Sequence, residues 1–102
     1  GLLKRPKKSL PAAQRADVAS IVSLLSLMQG DVRSAIKYGT GAIKINREES
    51  RTQELAVNLI VVGLINYGRR KFYETFQLWR EALQLTCLVY GYDHPYVATL
   101  LN

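Results

Sequence analysis

The chain has 102 residues, 48% of them hydrophobic, a single cysteine and a formal net charge of +6. That length suits one domain or part of one, and that apolar fraction excludes global disorder. Residues 1–15 hold Lys4, Arg5, Lys7, Lys8 and Arg15 and no acid, so the remainder is close to neutral, whereas a nucleic-acid reader needs a basic face on its folded part.

Residues 1–15 combine two prolines with this basic cluster and show no periodicity, which predicts a basic flexible arm. "KRPKK" resembles a simple nuclear-import signal and could equally touch nucleic acid or an anionic membrane; a solubilising linker is the plainer and favoured reading. "GLLKRPKK" lacks the apolar stretch of a signal peptide. The first residue is not Met, so the chain reads as a fragment or a processed form.

Helical periodicity starts near Ala16. Val18, Ile21, Val22, Leu25 and Met28 recur at threes and fours, the spacing of one buried helix face. Gly30-Asp31 ends this helix and caps the next. The second helix carries Val32, Ala35, Ile36, Ala42, Ile43 and Ile45, with Gly39 and Gly41 as weak points unless a neighbour approaches closely there. "NREESR" predicts a turn or a solvated helix end. A third helix runs from about Thr52 through Tyr67, and its centre "AVNLIVVGLI" is apolar almost all round, as in a helix buried on two faces. Its longest unbroken apolar run is too short to cross a bilayer. After Gly68-Arg69-Arg70-Lys71 comes a fourth helix to about Tyr90, with Phe72, Phe76, Trp79, Leu83, Thr86 and Val89 at helical spacing. "GYDHP" then sets Pro95 in the first turn of a fifth helix, with Asp93 or His94 as cap, and the chain stops at Asn102.

The chain repeats itself. "QGDVRSAIKYGTGAIKI" (29–45) lies over "RRKFYETFQLWREALQL" (69–85) at an offset of 40, and "AVNL" (56–59) matches "ATLL" (98–101) at an offset of 42. Small residues Ser23, Gly63, Ala42 and Ala82 fall where paired helices would cross closely. The reading is all-α: stacked antiparallel hairpins, about five helices with the last truncated. The domain spans 16–102, with repeats over 16–55 and 56–95 and the start of a third at 96–102.

"RRKFYETFQLWREALQL" and "YGYDHPYVATLLN" resemble the tetratricopeptide family, in particular the long repeats of kinesin light chains. The shared pattern is an aromatic after the turn, Glu, a small residue, an aromatic, Glu-Ala-Leu, then Gly-x-Asp-His-Pro-x-Val-Ala-Thr-x-Leu-Asn. The first repeat departs from it, with Gly39 at the aromatic position and no Asp-His-Pro before Leu55. A 40–42-residue period also falls in the range of HEAT repeats. The resemblance implies a right-handed α-solenoid whose first helices line a concave groove. By register that groove holds Asp17, Ser20, Leu24 and Leu27, then Val57, Ile60, Leu64 and Tyr67, then Thr99 and Asn102. Tyr67 offers the kind of surface enriched in binding hot spots.

No catalytic constellation is visible. His94 is the only histidine and suits a turn; Cys87 has apolar neighbours; Glu48 and Glu49 are adjacent and point apart on a helix; the glycines of "YGTG" follow no strand. The expectation is a non-enzymatic scaffold without cofactor, metal or small-molecule substrate, binding a peptide or helix of another protein. Nucleic acid or membrane would engage only Lys4, Arg5, Lys7 and Lys8. The truncated C-terminal end could self-associate. A lone thiol suits a reducing compartment, so the location expected is intracellular: cytoplasmic, or nuclear through the 4–8 cluster. The alternative is a regulatory or targeting module beside a catalytic domain outside this chain.

Overall fold

A computed structural model describes residues 10–91 and Pro95. The arm residues Lys4, Arg5, Lys7 and Lys8, the turn residues Asp93 and His94, and the start of the third repeat at 96–102 lie outside the described residues. Within them the chain forms four helices: α1 (Ala12–Met28), α2 (Val32–Glu48), α3 (Thr52–Gly68) and α4 (Phe72–Tyr90). They pack as adjacent antiparallel pairs, α1 on α2, α2 on α3 and α3 on α4. None of the described helices is long and apolar enough to cross a membrane.

α1 begins at Ala12, ahead of the expected start near Ala16. Pro11 occupies the N-cap position and its carbonyl accepts the Arg15 N–H at 3.0 Å. Ala12, Ala13 and Gln14 are strong helix formers, but they add nothing to the apolar stripe by which the start was read.

The three inter-helix turns share one geometry. Gly30, Ser50 and Arg70 each take a left-handed backbone, with φ of 80°, 55° and 61°. Their N–H groups reach back to the carbonyls of Leu27, Arg47 and Tyr67. The next N–H groups, of Asp31, Arg51 and Lys71, reach the carbonyls of Ser26, Asn46 and Asn66 at 2.8–2.9 Å. This doubled bond pattern is the Schellman ending, which satisfies carbonyls the helix would leave orphaned. The same three residues then accept the first bond of the following helix, from Ala35, Leu55 and Thr75. Only Asp31 adds a side-chain cap, accepting the Ser34 N–H at 3.1 Å.

The core centres on α3. Leu55, Leu59 and Val62 pack with Ile43 of α2 and Ala82 of α4, flanked by Ile36, Leu78 and Leu85. α3 is buried on two sides, as its sequence predicted. The small crossing residues are also in place: Ser23, Ala42, Gly63 and Ala82 are buried. Ser23 Oγ donates to the Ala35 carbonyl at 2.6 Å, and Thr75 Oγ1 donates to the Gly63 carbonyl at 3.2 Å. Positions 23 and 63, and 35 and 75, correspond at the offset of 40. Both pairs thus carry the same interhelical bond, with the donor on opposite helices.

Two expected faces are corrected. In α1 the buried residues are Ala16, Ser23 and Ser26, while Val18, Ile21, Leu25 and Met28 are exposed. α1 meets α2 through small side chains, and its apolar stripe points away from the pair. At the matching register α3 carries Asn58 and Ile65, each at least nine-tenths buried; Val18 and Leu25 are about half exposed (51% and 52%). In α4 the buried residues are Thr75, Ala82 and Cys87, whereas Phe72 and Phe76 are exposed. The expected closeness at Gly39 holds, since a Cβ there would lie 2.7 Å from Val62 Cγ2; at Gly41 it does not, for nothing lies within 4 Å.

Candidate functional site

The residues expected to line a groove sit on the first helix of each pair. Leu24, Leu27, Val57, Ile60, Leu64 and Tyr67 are all exposed. Asn102 and Thr99 lie outside the described residues. Leu24 and Leu64, and Leu27 and Tyr67, correspond at the offset of 40, so two pairs present apolar groups at the same positions. Ser20, Leu24 and Val57 also line one small cleft between α1 and α3.

Ser20 and Asp17 differ from the others because they belong to a polar seam joining the two pairs. Asn46 Nδ2 donates to Asn58 Oδ1 at 2.6 Å, and Asn58 Nδ2 donates to Ser20 Oγ at 2.8 Å. Ser20 Oγ in turn donates to the Ala16 carbonyl at 3.0 Å. The Arg51 guanidinium donates to the Ala13 carbonyl, to Asp17 Oδ1 and to Asn46 Oδ1 at 3.0–3.1 Å. Asn46 and Asn58 are buried, and a buried amide is costly unless its groups are paired. Among the described residues no buried side-chain nitrogen or oxygen lacks a partner. A second tie runs between α2 and α4, where Arg47 forms a two-pronged ion pair with Glu81. The Glu81 hydrogen bond raises the already high pKa of Arg47.

At the other end of α3, Tyr67 belongs to an aromatic trio. Its ring stacks on Trp79 with centroids 6.0 Å apart and meets Phe72 edge-on at 5.4 Å. The Trp79 indole lies over Gly63, where a Cβ would collide with it, and Nε1 donates to the Ile60 carbonyl at 3.2 Å. In the first pair Gly39 stands at the position of Trp79, and Val62 of α3 fills the space beside it. The sequence reading singled out Tyr67 alone. A signal for the trio was present, since Tyr67 and Phe72 flank a tight turn and Trp79 lies two helical turns beyond Phe72.

The basic turn between α3 and α4 is exposed; Arg69 donates to Asn66 Oδ1 at 3.2 Å, while Arg70 and Lys71 form the turn backbone. Cys87 is buried. Among the described residues no group of three His, Cys, Asp or Glu side chains is placed to hold a metal.

A second cleft, of about 530 Å³, lies between α3 and the end of α4. It is lined by Gln53, Ala56, Val57 and Ile60 of α3 and by Thr86, Val89 and Tyr90 of α4. It brings Val57 and Ile60 together with residues that the groove reading left out.

No family model, curated protein or solved structure matches this chain.

Proposed function

We propose that this chain is a non-enzymatic protein-interaction scaffold. In this reading its helix pairs stack as a right-handed, tetratricopeptide-like solenoid, and an apolar helix or extended segment of another protein binds across the first helices. The observation that carries it is the recurrence of exposed apolar side chains in one register, Leu24 with Leu64 and Leu27 with Tyr67. Large exposed apolar patches on folded domains mark interaction sites, and recurrence in one register is how repeated pairs would build one. Tyr67 is the anchor: it is 55% exposed yet held from behind by Trp79 and Phe72. A ring fixed in this way loses little freedom on binding, which favours affinity. Helices laid in apolar grooves are a recurring recognition mode.

The test is a peptide-display selection against the chain, followed by affinity measurement with Leu64→Ala/Tyr67→Ala. Truncating a central aromatic anchor typically costs about 2 kcal/mol or more, so selected peptides should bind the double variant at least ~30-fold more weakly. Far-ultraviolet circular dichroism should be unchanged, because both side chains are exposed. Binders that ignore the double substitution would refute the groove.

A further inference from the structure

The folded part carries little net charge, but the fold does not spread its charges evenly. Antiparallel pairing sends the turns at 30 and 70 to one end of the molecule and the turn at 50 to the other. The ion pairs among the described residues all gather on Arg47 and Arg51, beside the turn at 50: Arg47 with Glu81, and Arg51 with Asp17 and Glu54. The opposite end holds Arg33, Lys37, Arg69, Arg70 and Lys71, all exposed and none ion-paired with a described residue. Two carboxylates accompany them, Asp31 and Glu74. Asp31 is held by the Ser34 N–H and feels the Arg33 charge.

Two of these cations are brought together from different helix pairs. Arg33 and Arg69 line one cleft of about 300 Å³ with Val32 and Ile36, and no described carboxylate lines it. Guanidinium groups bind phosphate through paired N–H donors, and the aliphatic wall beside them suits an apolar body. An anionic amphiphile has both parts. The same end is also studded with apolar side chains. Met28 closes α1, and Phe72 and Tyr73 open α4; they are 83%, 55% and 71% exposed. Tyrosine rings settle at the headgroup level of membranes, and basic clusters are drawn to anionic leaflets. Met28 favours lipid over nucleic acid, because a thioether gives a base neither a stacking face nor a strong hydrogen bond.

We infer that the end of the molecule formed by the turns at 30 and 70 docks on an anionic phospholipid surface. A lipid phosphate sits between Arg33 and Arg69, with Met28, Phe72 and Tyr73 at headgroup depth. The contact is independent of the groove, since it uses none of Leu24, Leu27, Leu64 and Tyr67.

The test is co-sedimentation of the full chain with vesicles of phosphatidylcholine alone, or with roughly one-third phosphatidylserine added. The chain should pellet with the anionic vesicles and stay in solution with the neutral ones. Arg33→Gln/Arg69→Gln should weaken binding roughly tenfold or more. Arg15→Gln/Lys44→Gln removes the same charge from exposed positions toward the other end and should change binding less than about twofold, since screening limits its reach. Met28→Gln/Tyr73→Gln keeps the charge and should weaken binding about fivefold through lost apolar contact. Circular dichroism should match wild type throughout, because all these side chains are exposed. If Arg69→Gln loses helicity through its bond to Asn66, Arg33→Gln/Lys37→Gln takes its place. Failure to bind anionic vesicles overturns the inference. So do equal losses in the two charge-removing variants, which would show net charge alone at work, and binding that Met28→Gln/Tyr73→Gln leaves unchanged. Binding lost only when residues 1–9 are deleted would assign it to the N-terminal cluster. Tighter binding of poly(U) RNA through Arg33 and Arg69 would identify a nucleic acid, and either result overturns the membrane contact.

Discussion

Ser50 and Arg70 hold the left-handed backbone that Gly30 holds at the first turn. A Cβ in that conformation crowds the following carbonyl, at about 1–2 kcal/mol for an ordinary residue. Gly removes the crowding but has more freedom to lose on folding. Ser50→Gly and Arg70→Gly should each therefore stabilise the chain by roughly 0.5–1 kcal/mol net, read as a higher urea midpoint at unchanged slope. Gly63 is the opposite case. Gly63→Ala would force the new methyl into the Trp79 indole and should cost about 1–3 kcal/mol as overpacking. Pairing it with Trp79→Phe should recover part of that loss. Asp31 gives the fold a small acid dependence. The Ser34 side-chain and backbone hydrogen bonds hold its carboxyl below the ordinary value. A depressed carboxyl contributes stability above the ordinary carboxylate range and loses it as pH falls through the folded value. Wild type and Asp31→Ala should thus differ in melting temperature at neutral pH and converge in strong acid.

At the scale of elements, the seam of Asn46, Asn58, Ser20 and Arg51 is the joint between the two pairs. Asn58→Ala would strand the Asn46 and Ser20 groups bonded to it and should destabilise by about 2 kcal/mol. Adding Ser20→Ala to that variant should cost less than Ser20→Ala does alone, because the shared bond is already gone. This seam was not legible in the sequence. Asn58 stood within an apolar run, and no spacing rule linked it to an Asn and a Ser on other helices. The first four helices, the positions of α2 and α3, and the small crossing residues were legible because they rest on local signals: Gly-Asp punctuation, apolar periodicity and an internal repeat. The buried face of α1 was misread for a physical reason. Periodicity shows that a helix has an apolar stripe, not which neighbour the stripe meets. In α1 the close neighbour α2 is met through Ala16, Ser23 and Ser26, and Val18, Ile21 and Leu25 face elsewhere. The same reasoning separates Phe72 and Phe76 from the core of α4. Among the proposed groove residues, the exposure of Leu64 and Tyr67 followed from register alone, while Ser20 required knowledge of its partner Asn58.

For the molecule as a whole, contact runs from each helix to the next, and the pairs meet at the seam and at the Arg47–Glu81 bridge. In the stacked solenoid proposed above, stability would be close to a sum of unit and interface terms. Breaking the seam with Asn46→Ala/Asn58→Ala should therefore broaden the urea transition as well as shift it, as the pairs begin to unfold separately. The N-terminal basic cluster has to be tested with residues 1–9 removed, because α1 already begins at Ala12 and a longer deletion would cut into it. If that cluster binds polyanions, the affinity should fall steeply with salt and disappear with the deletion. Finally, the left-handed residues between successive helices stand at 30, 50 and 70, so the chain returns to the same turn after each of α1, α2 and α3. A gene segment encoding residues 31–70 could be copied in tandem and would begin and end on identical turns. The molecule could lengthen by whole pairs without inventing a loop. At the new junction, Arg70 and a second Asp31 would follow each other in a turn that already accepts both.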